Sequence, residues 1–373
     1  MTDPDADARR YHRRQFVLAV ADFGLTVALL VAWLWSGAAA GLARTLAARL
    51  PPPAVVALLF LALGASSLVL AAPLDLLRGY ILPRRAGLLD QSLGGWLADK
   101  AKALVLGGAL GLGAVELIYG LLAWSPDWWW LWSAAGLAAA SVVLTAAVPV
   151  WIVPLFYRLT PLQDPELRER LLALAARAGV LAAEVAVADF SRKGRTANAA
   201  VVGLGRTRRI LVSDTLLSSF PPEEIEVVLA HELAHHARGH LRQALSLQGV
   251  LLLVVFAAAH AALALAGAPL GLTGMADPAG LPLLGLILTA LGLLATPVAA
   301  AWSRRLEREA DAAALDVTRA PGAFVAAMER LGRLNLAERR PNRLKELLFA
   351  THPSLEQRIA RARAAAERLA GAA

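Results

Sequence analysis

Six stretches of this chain are long and apolar enough to cross a bilayer, and that limits its fold more than any other feature. They lie at 16–35, 54–72, 103–124, 131–151, 244–265 and 281–301. About 20 apolar residues in a helix match the roughly 30 Å hydrocarbon core. A crossing segment must satisfy its own backbone hydrogen bonds, so each stretch is read as a helix. Hydrophobic residues make up 58% of the sequence, more than an ordinary soluble domain carries. The fold class expected is therefore mainly α, a polytopic membrane protein with about six transmembrane helices.

Charge gives the orientation. The chain carries a net charge of +8. In a membrane protein this reflects basic loops facing the cytoplasm and anionic lipid, so no nucleic-acid partner is expected. With the N-terminus inside, six spans alternate cleanly. The outer loops then carry only Arg44 and Arg49, while 73–102, 158–242 and 303–373 fall in the cytoplasm. Five tryptophans between Trp124 and Trp132 mark an interfacial belt. A signal peptide cleaved near Ala38–Ala40 is the alternative for the first stretch, but Asp22 and its length disfavour it.

Residues 158–242 differ in kind. Pro165 to Ala178 is a charged amphipathic helix, and Val185 to Asp189 alternates like a strand. Ala199–Leu204 and Arg209–Val212 are two strands of a hairpin joined across Gly205–Arg208. Next comes a helix with Ser219 as its expected N-cap, Pro221 and Pro222 in its first turn, and Glu223 and Glu224 near its positive end.

That helix contains His231-Glu-Leu-Ala-His235, which is H-E-x-x-H. Two imidazoles four apart share a helical face and can hold one Zn²⁺, while the adjacent carboxylate of Glu232 can serve as general base. The sequence has no cysteine, so thiolate ligands are excluded and His, Glu and Asp remain. Only seven histidines occur, and four of them (His231, His235, His236 and His240) fall here. His236 points about 100° away from His235 and is not assigned to the metal, which leaves His240 as a spare.

A hydrolytic zinc needs a third protein ligand. The helix after the sixth span offers Glu307 and Glu309. Glu307 and Asp311 lie four apart on one face, so Glu307 can bind metal while Asp311 orients a histidine. Glu309 pairs with Arg305. The two intervening spans form a membrane hairpin that returns Glu307 beside the H-E-x-x-H helix.

These residues resemble the integral-membrane zinc metalloendopeptidases typified by type I CAAX prenyl protease. The resemblance rests on His231–His235, on Ser303-Arg-Arg-Leu-Glu-Arg-Glu-Ala-Asp311, on Arg195-Thr-Ala-Asn-Ala199, on Arg209–Leu217 and on His352-Pro-Ser-Leu-Glu-Gln-Arg358. It implies one Zn²⁺ held by His231, His235 and Glu307, with Glu232 as base and Asp311 supporting a ligand. It further implies that Asn198 and Ala199 line a substrate edge strand and that His352 and Arg358 act near the scissile carbonyl. The eukaryotic members have seven spans, against six counted here.

The expectation is a membrane domain at 1–157 with four spans, followed by a cytoplasmic α+β zinc metallopeptidase unit at 158–373. The second part contains the hairpin at about 244–301 and a helical tail. The function expected is membrane zinc endoproteolysis in a bacterial inner membrane, on peptides or proteins that include membrane-associated or lipidated ones. A broader quality-control protease without a prenyl requirement is the alternative. A non-catalytic metal-binding transporter or scaffold is a third reading, which Glu232 and the Glu307/Asp311 pair oppose.

Overall fold

The structure is a computed structural model and describes residues 4–181, 184–203 and 208–371. Six helices in it are long and apolar enough to cross a membrane. The first four come from α1 (Pro4–Trp35), α3 (Pro52–Leu76), α5 (Leu93–Trp124) and α6 (Trp129–Ala147), with a short α2 (Ala38–Ala47) after the first. Two spans run on beyond their apolar stretches. After α3 the chain continues through a π-helical turn at Leu77–Ile81 into α4 (Leu82–Arg85). After α6 a similar turn at Val148–Ile152 leads into α7 (Val153–Phe156). The 73–102 connection is thus mostly helix, with only 86–92 outside it.

The predicted tryptophan belt divides. Trp124, Trp128 and Trp132 are exposed, but Trp129 is fully buried, and its Nε1 donates to His260 Nδ1 at 3.0 Å. A buried indole N–H needs an acceptor, and His260 supplies it from the fifth span. Around this pair Leu59, Leu122, Phe256 and Leu263 form one of the two cores, at the end of the bundle away from the histidine helix.

The second core belongs to a small four-stranded sheet and the helices packed on it. The strands are β1 (Leu159–Pro161), β2 (Glu184–Ala188), β3 (Ala199–Val202) and β4 (Arg209–Ser213), in spatial order β1-β2-β4-β3. The β3/β4 pair is antiparallel, as the hairpin reading requires, although its turn falls largely outside the described residues. β2 pairs parallel with β4, and β1 closes the other edge antiparallel to β2. Leu171, Leu174, Ile210, Leu216, Leu229 and Phe324 are among the side chains buried in this core.

Eight helices complete the second half. α8 (Pro165–Arg177) is capped by Asp164, whose side chain accepts from Leu167 N. α9 (Asp214–Ser219) is capped by Ser213. The expected cap for the histidine helix is therefore corrected: Ser219 ends α9, and α10 (Pro222–Ala237) starts after Pro221 without a side-chain cap. Pro222 has no N–H to satisfy at that position, and Glu224 N and Ile225 N both donate to the Pro221 carbonyl. α11 (His240–Ala266) and α12 (Leu281–Thr318) are the fifth and sixth spans. α13 (Pro321–Leu334), α14 (Arg343–Phe349) and α15 (Leu355–Gly371) follow.

The connection before α5 is stitched to this unit. Leu89 bridges Gly194, Asp90 N and Gln91 N both donate to Lys193 O, and Lys193 Nζ lies 2.7 Å from Asp99.

Candidate active site

α10 is held in place by burial along most of its length. Ile225, Val227, Leu229 and Leu233 sit in the core. Glu224, also buried, is bridged by Arg330 of α13 at 2.8 and 3.2 Å. Helix α12 crosses the membrane and continues unbroken past it, which brings Glu307 and Asp311 against α10.

Four residues predicted from spacing meet here. His231 Nε2 and His235 Nε2 are 3.2 Å apart. Glu307 places Oε2 at 3.2 Å from His231 Nε2 and Oε1 at 3.4 Å from His235 Nε2. On the far side of the His231 ring, Nδ1 lies 2.9 Å from Asp311 Oδ1. Arg358 completes the row, donating to both Asp311 oxygens at 2.6 and 2.9 Å. His231, Glu307 and Asp311 are all buried.

The donor set fits a divalent metal. One nitrogen from each histidine and one oxygen from Glu307 lie within 4.8 Å of one another. Separations of 3.2–3.4 Å suit a tetrahedral ion with bonds of about 2.0–2.2 Å. Glu307 Oε2 is buried and satisfies no hydrogen-bond geometry, although His352 Nδ1 stands 2.8 Å away. Charge agrees: Glu232, Glu307 and Asp311 oppose one guanidinium, so a buried cation would be stabilised here. Burial disfavours a charge on His231, yet hydrogen bonding to Asp311 and Glu307 outweighs it and lifts that imidazole to about 9. This neighbourhood attracts positive charge, as proton or as metal.

Glu232 lies beside this cluster on the wall of a cleft of about 420 Å³. Burial pushes its carboxyl up. The cleft also touches Asn198, Ala199, His352 and Arg358. β3 is a sheet edge, with Asn198 immediately before it and Ala199 its first residue. Asn335 fixes the approach by exchanging hydrogen bonds with the Ala197 backbone. His352 is well exposed at the rim, whereas Arg358 is largely enclosed with its donors on Asp311.

The remaining histidines separate. His236 Nε2 donates to the Val201 carbonyl at 2.8 Å, away from the cluster. His240, the spare in the sequence, lies behind His235: its Nδ1 is 2.9 Å from His235 Nδ1. Gly239 makes this possible, because its φ of 66° turns the chain sharply between α10 and α11. Glu309 sits 3.5 Å beyond His240 and pairs with Arg305 at 3.0 Å. The five-residue spacing from His235 to His240 gave no sign of this contact, because a straight helix would not bring the two together.

A helical membrane bundle with an H-E-x-x-H helix facing a glutamate from a second helix defines a class, the membrane zinc metalloproteases. The chain belongs to peptidase family M48, which residues 161–366 match. Residues 6–158 match a family described as CAAX prenyl protease N-terminal, five membrane helices. In that range the described residues hold four helices able to cross, together with the short α2. The uncharacterized metalloprotease YhfN of Bacillus subtilis is 29% identical over 293 residues, covering 77% of this chain and 68% of that protein. CAAX prenyl protease 1 of Saccharomyces cerevisiae is 31% identical over 181 residues, 48% of this chain. The match spans only 40% of that yeast protein. The crystal structure of S. mikatae Ste24p superposes with a TM-score of 0.85 at 23% identity, over 96% of this chain and 89% of that one. It shares the fold.

Proposed function

We propose that His231, His235 and Glu307 hold one Zn²⁺ and that the chain hydrolyses internal peptide bonds at this centre. The observation carrying the reading is the convergence of these donors from two helices, with Glu232 beside them in an open cleft. Bound zinc would polarise the scissile carbonyl and lower the pKa of water. Glu232 takes the proton of the attacking water and returns it to the leaving amine nitrogen. A carboxyl raised by burial suits both transfers. Asp311 accepts from His231 Nδ1–H, which leaves Nε2 free to ligate, and Arg358 holds Asp311 in place. His352, exposed at the rim, donates to the developing oxyanion, where Arg358 adds positive charge. The substrate lies extended along Asn198 and Ala199 as an added strand.

The division at 157/158, a bacterial inner-membrane location and a cytoplasmic site belong to this proposal. The lysine and arginine distribution supports the orientation. Lipid-modified peptides are the substrates favoured. An apolar cavity of about 470 Å³ lies between α11 and α12, lined by Leu251, Val255, Trp302 and Leu306. Relatives named CAAX prenyl protease point the same way. The test is zinc content together with endoproteolysis of one peptide with and without a prenyl group. Chelator should abolish cleavage and added zinc should restore it. A zinc-loaded protein that cuts neither peptide would defeat the reading, and equal cutting of both would favour a broader protease.

A further inference from the structure

Helix α14 exposes an apolar face. Leu344 is 63% exposed, Leu347 59% and Phe349 42%. Positions 344, 347 and 348 follow helical spacing, so Leu344 and Leu347 lie on one side. Its polar backbone is satisfied elsewhere. Asn342 accepts from Leu344 N and Lys345 N at the start. The buried guanidinium of Arg304 donates to the carbonyls of Glu346, Leu347 and Ala350 at the end. A short helix so well tied down, yet with its leucines in water, would leave that apolar area unburied.

Two membrane spans give its depth. The apolar run of α1 begins at Phe16 and ends at Trp35, about the thickness of the hydrocarbon at 1.5 Å per residue. Phe16 therefore marks the boundary, and its ring lies 6.4 Å from that of Phe349. Phe16 and Val17 are themselves exposed, as lipid-facing residues are. On α12 the apolar run ends at Ala301, and Arg304, which clamps α14, lies one turn beyond. Both references set α14 at the same level. Basic residues sit where headgroups would be: Arg13 and Arg14 just before Phe16, and Arg343 just before Leu344, all exposed. Lys345 turns back to Glu338 at 3.1 Å, with its ammonium 5.9 Å from the Phe16 ring.

We infer that α14 is an interfacial helix that seats Leu344, Leu347 and Phe349 in the bilayer, continuous with the lipid-facing surface of α1. This rests on the membrane spans and not on the peptidase chemistry. It has a consequence for the site. The chain passes from α14 to His352 in three residues, and His352 Nδ1 lies 2.8 Å from Glu307 Oε2. The bilayer surface thus sets the height of His352, and the cleft opens beside the membrane.

The chain has no cysteine, so a single introduced one is uniquely labelled. Spin labels at Leu344→Cys and Leu347→Cys in nanodiscs should be several-fold more accessible to oxygen than to a water-soluble nickel complex. Val20→Cys on α1 is the lipid-facing reference, and Arg363→Cys, exposed on α15, is the aqueous one. Nickel accessibility at 344 and 347 equal to that at 363 would overturn the inference. Low accessibility to both reagents would also overturn it, since a second protein would then cover the face.

Discussion

Asp311 Oδ1 stands 2.9 Å from His231 Nδ1, on the side of the ring opposite the nitrogen that faces Glu307 and His235. That contact fixes which nitrogen carries the proton and therefore which one can ligate. Asp311→Asn keeps the size but presents a weaker partner. Zinc affinity, measured by competition with a chromogenic chelator, should fall roughly 10–100-fold. Unchanged affinity would remove Asp311 from the account.

Metal content separates ligands from neighbours. Ala in place of His231, His235 or Glu307 should each strip zinc from the purified protein, because the described site offers three ligands. Glu309→Ala should retain it, since Glu309 faces Arg305 and His240. His240→Ala should retain zinc but bind it roughly 10–100-fold more weakly, through the lost support of His235. Zinc lost from Glu309→Ala and kept by Glu307→Ala would reverse the helix register.

Gly194→Ala tests the link between the membrane connection and the sheet unit. A Cβ there would lie 2.1 Å from the Leu88 carbonyl oxygen, which is backbone and cannot simply turn away. The Leu89–Gly194 bridge should open, at a cost of about 1–3 kcal/mol. A lower midpoint in thermal unfolding checks this, and an unchanged midpoint would mean the loop shifts freely.

Topology decides which substrates the site can meet. A cysteine at Thr273, exposed in the loop between the fifth and sixth spans, should react with an impermeant reagent in intact cells. A cysteine at Ser218, exposed beside α10, should not. The opposite pattern would turn the site outward.

Much of this was legible in the sequence, for physical reasons. Apolar runs of about 20 residues have few alternatives to a span, and H-E-x-x-H is defined by helical spacing alone. Glu307 and Asp311 could be paired by the same periodicity. What escaped depends on contacts distant in sequence. β1 is three residues ending in proline and exists because β2 offers an edge. The parallel β2/β4 register crosses the intervening β3. Ser219 looked like a cap because α9 is too short to show periodicity, and Ser213 takes the capping role. Trp129 looked interfacial like its neighbours until His260 supplied a buried acceptor. His240 could be linked to His235 only once the turn at Gly239 was known.

In the proposed reaction Glu232 performs chemistry beside a metal it does not hold. Glu232→Gln preserves shape and all three ligands while removing the proton acceptor. Zinc content should stay at the wild-type level, measured by mass spectrometry of the purified protein, with peptide hydrolysis lowered about 10²–10⁴-fold. Turnover near wild type in a zinc-loaded Glu232→Gln protein would contradict that role.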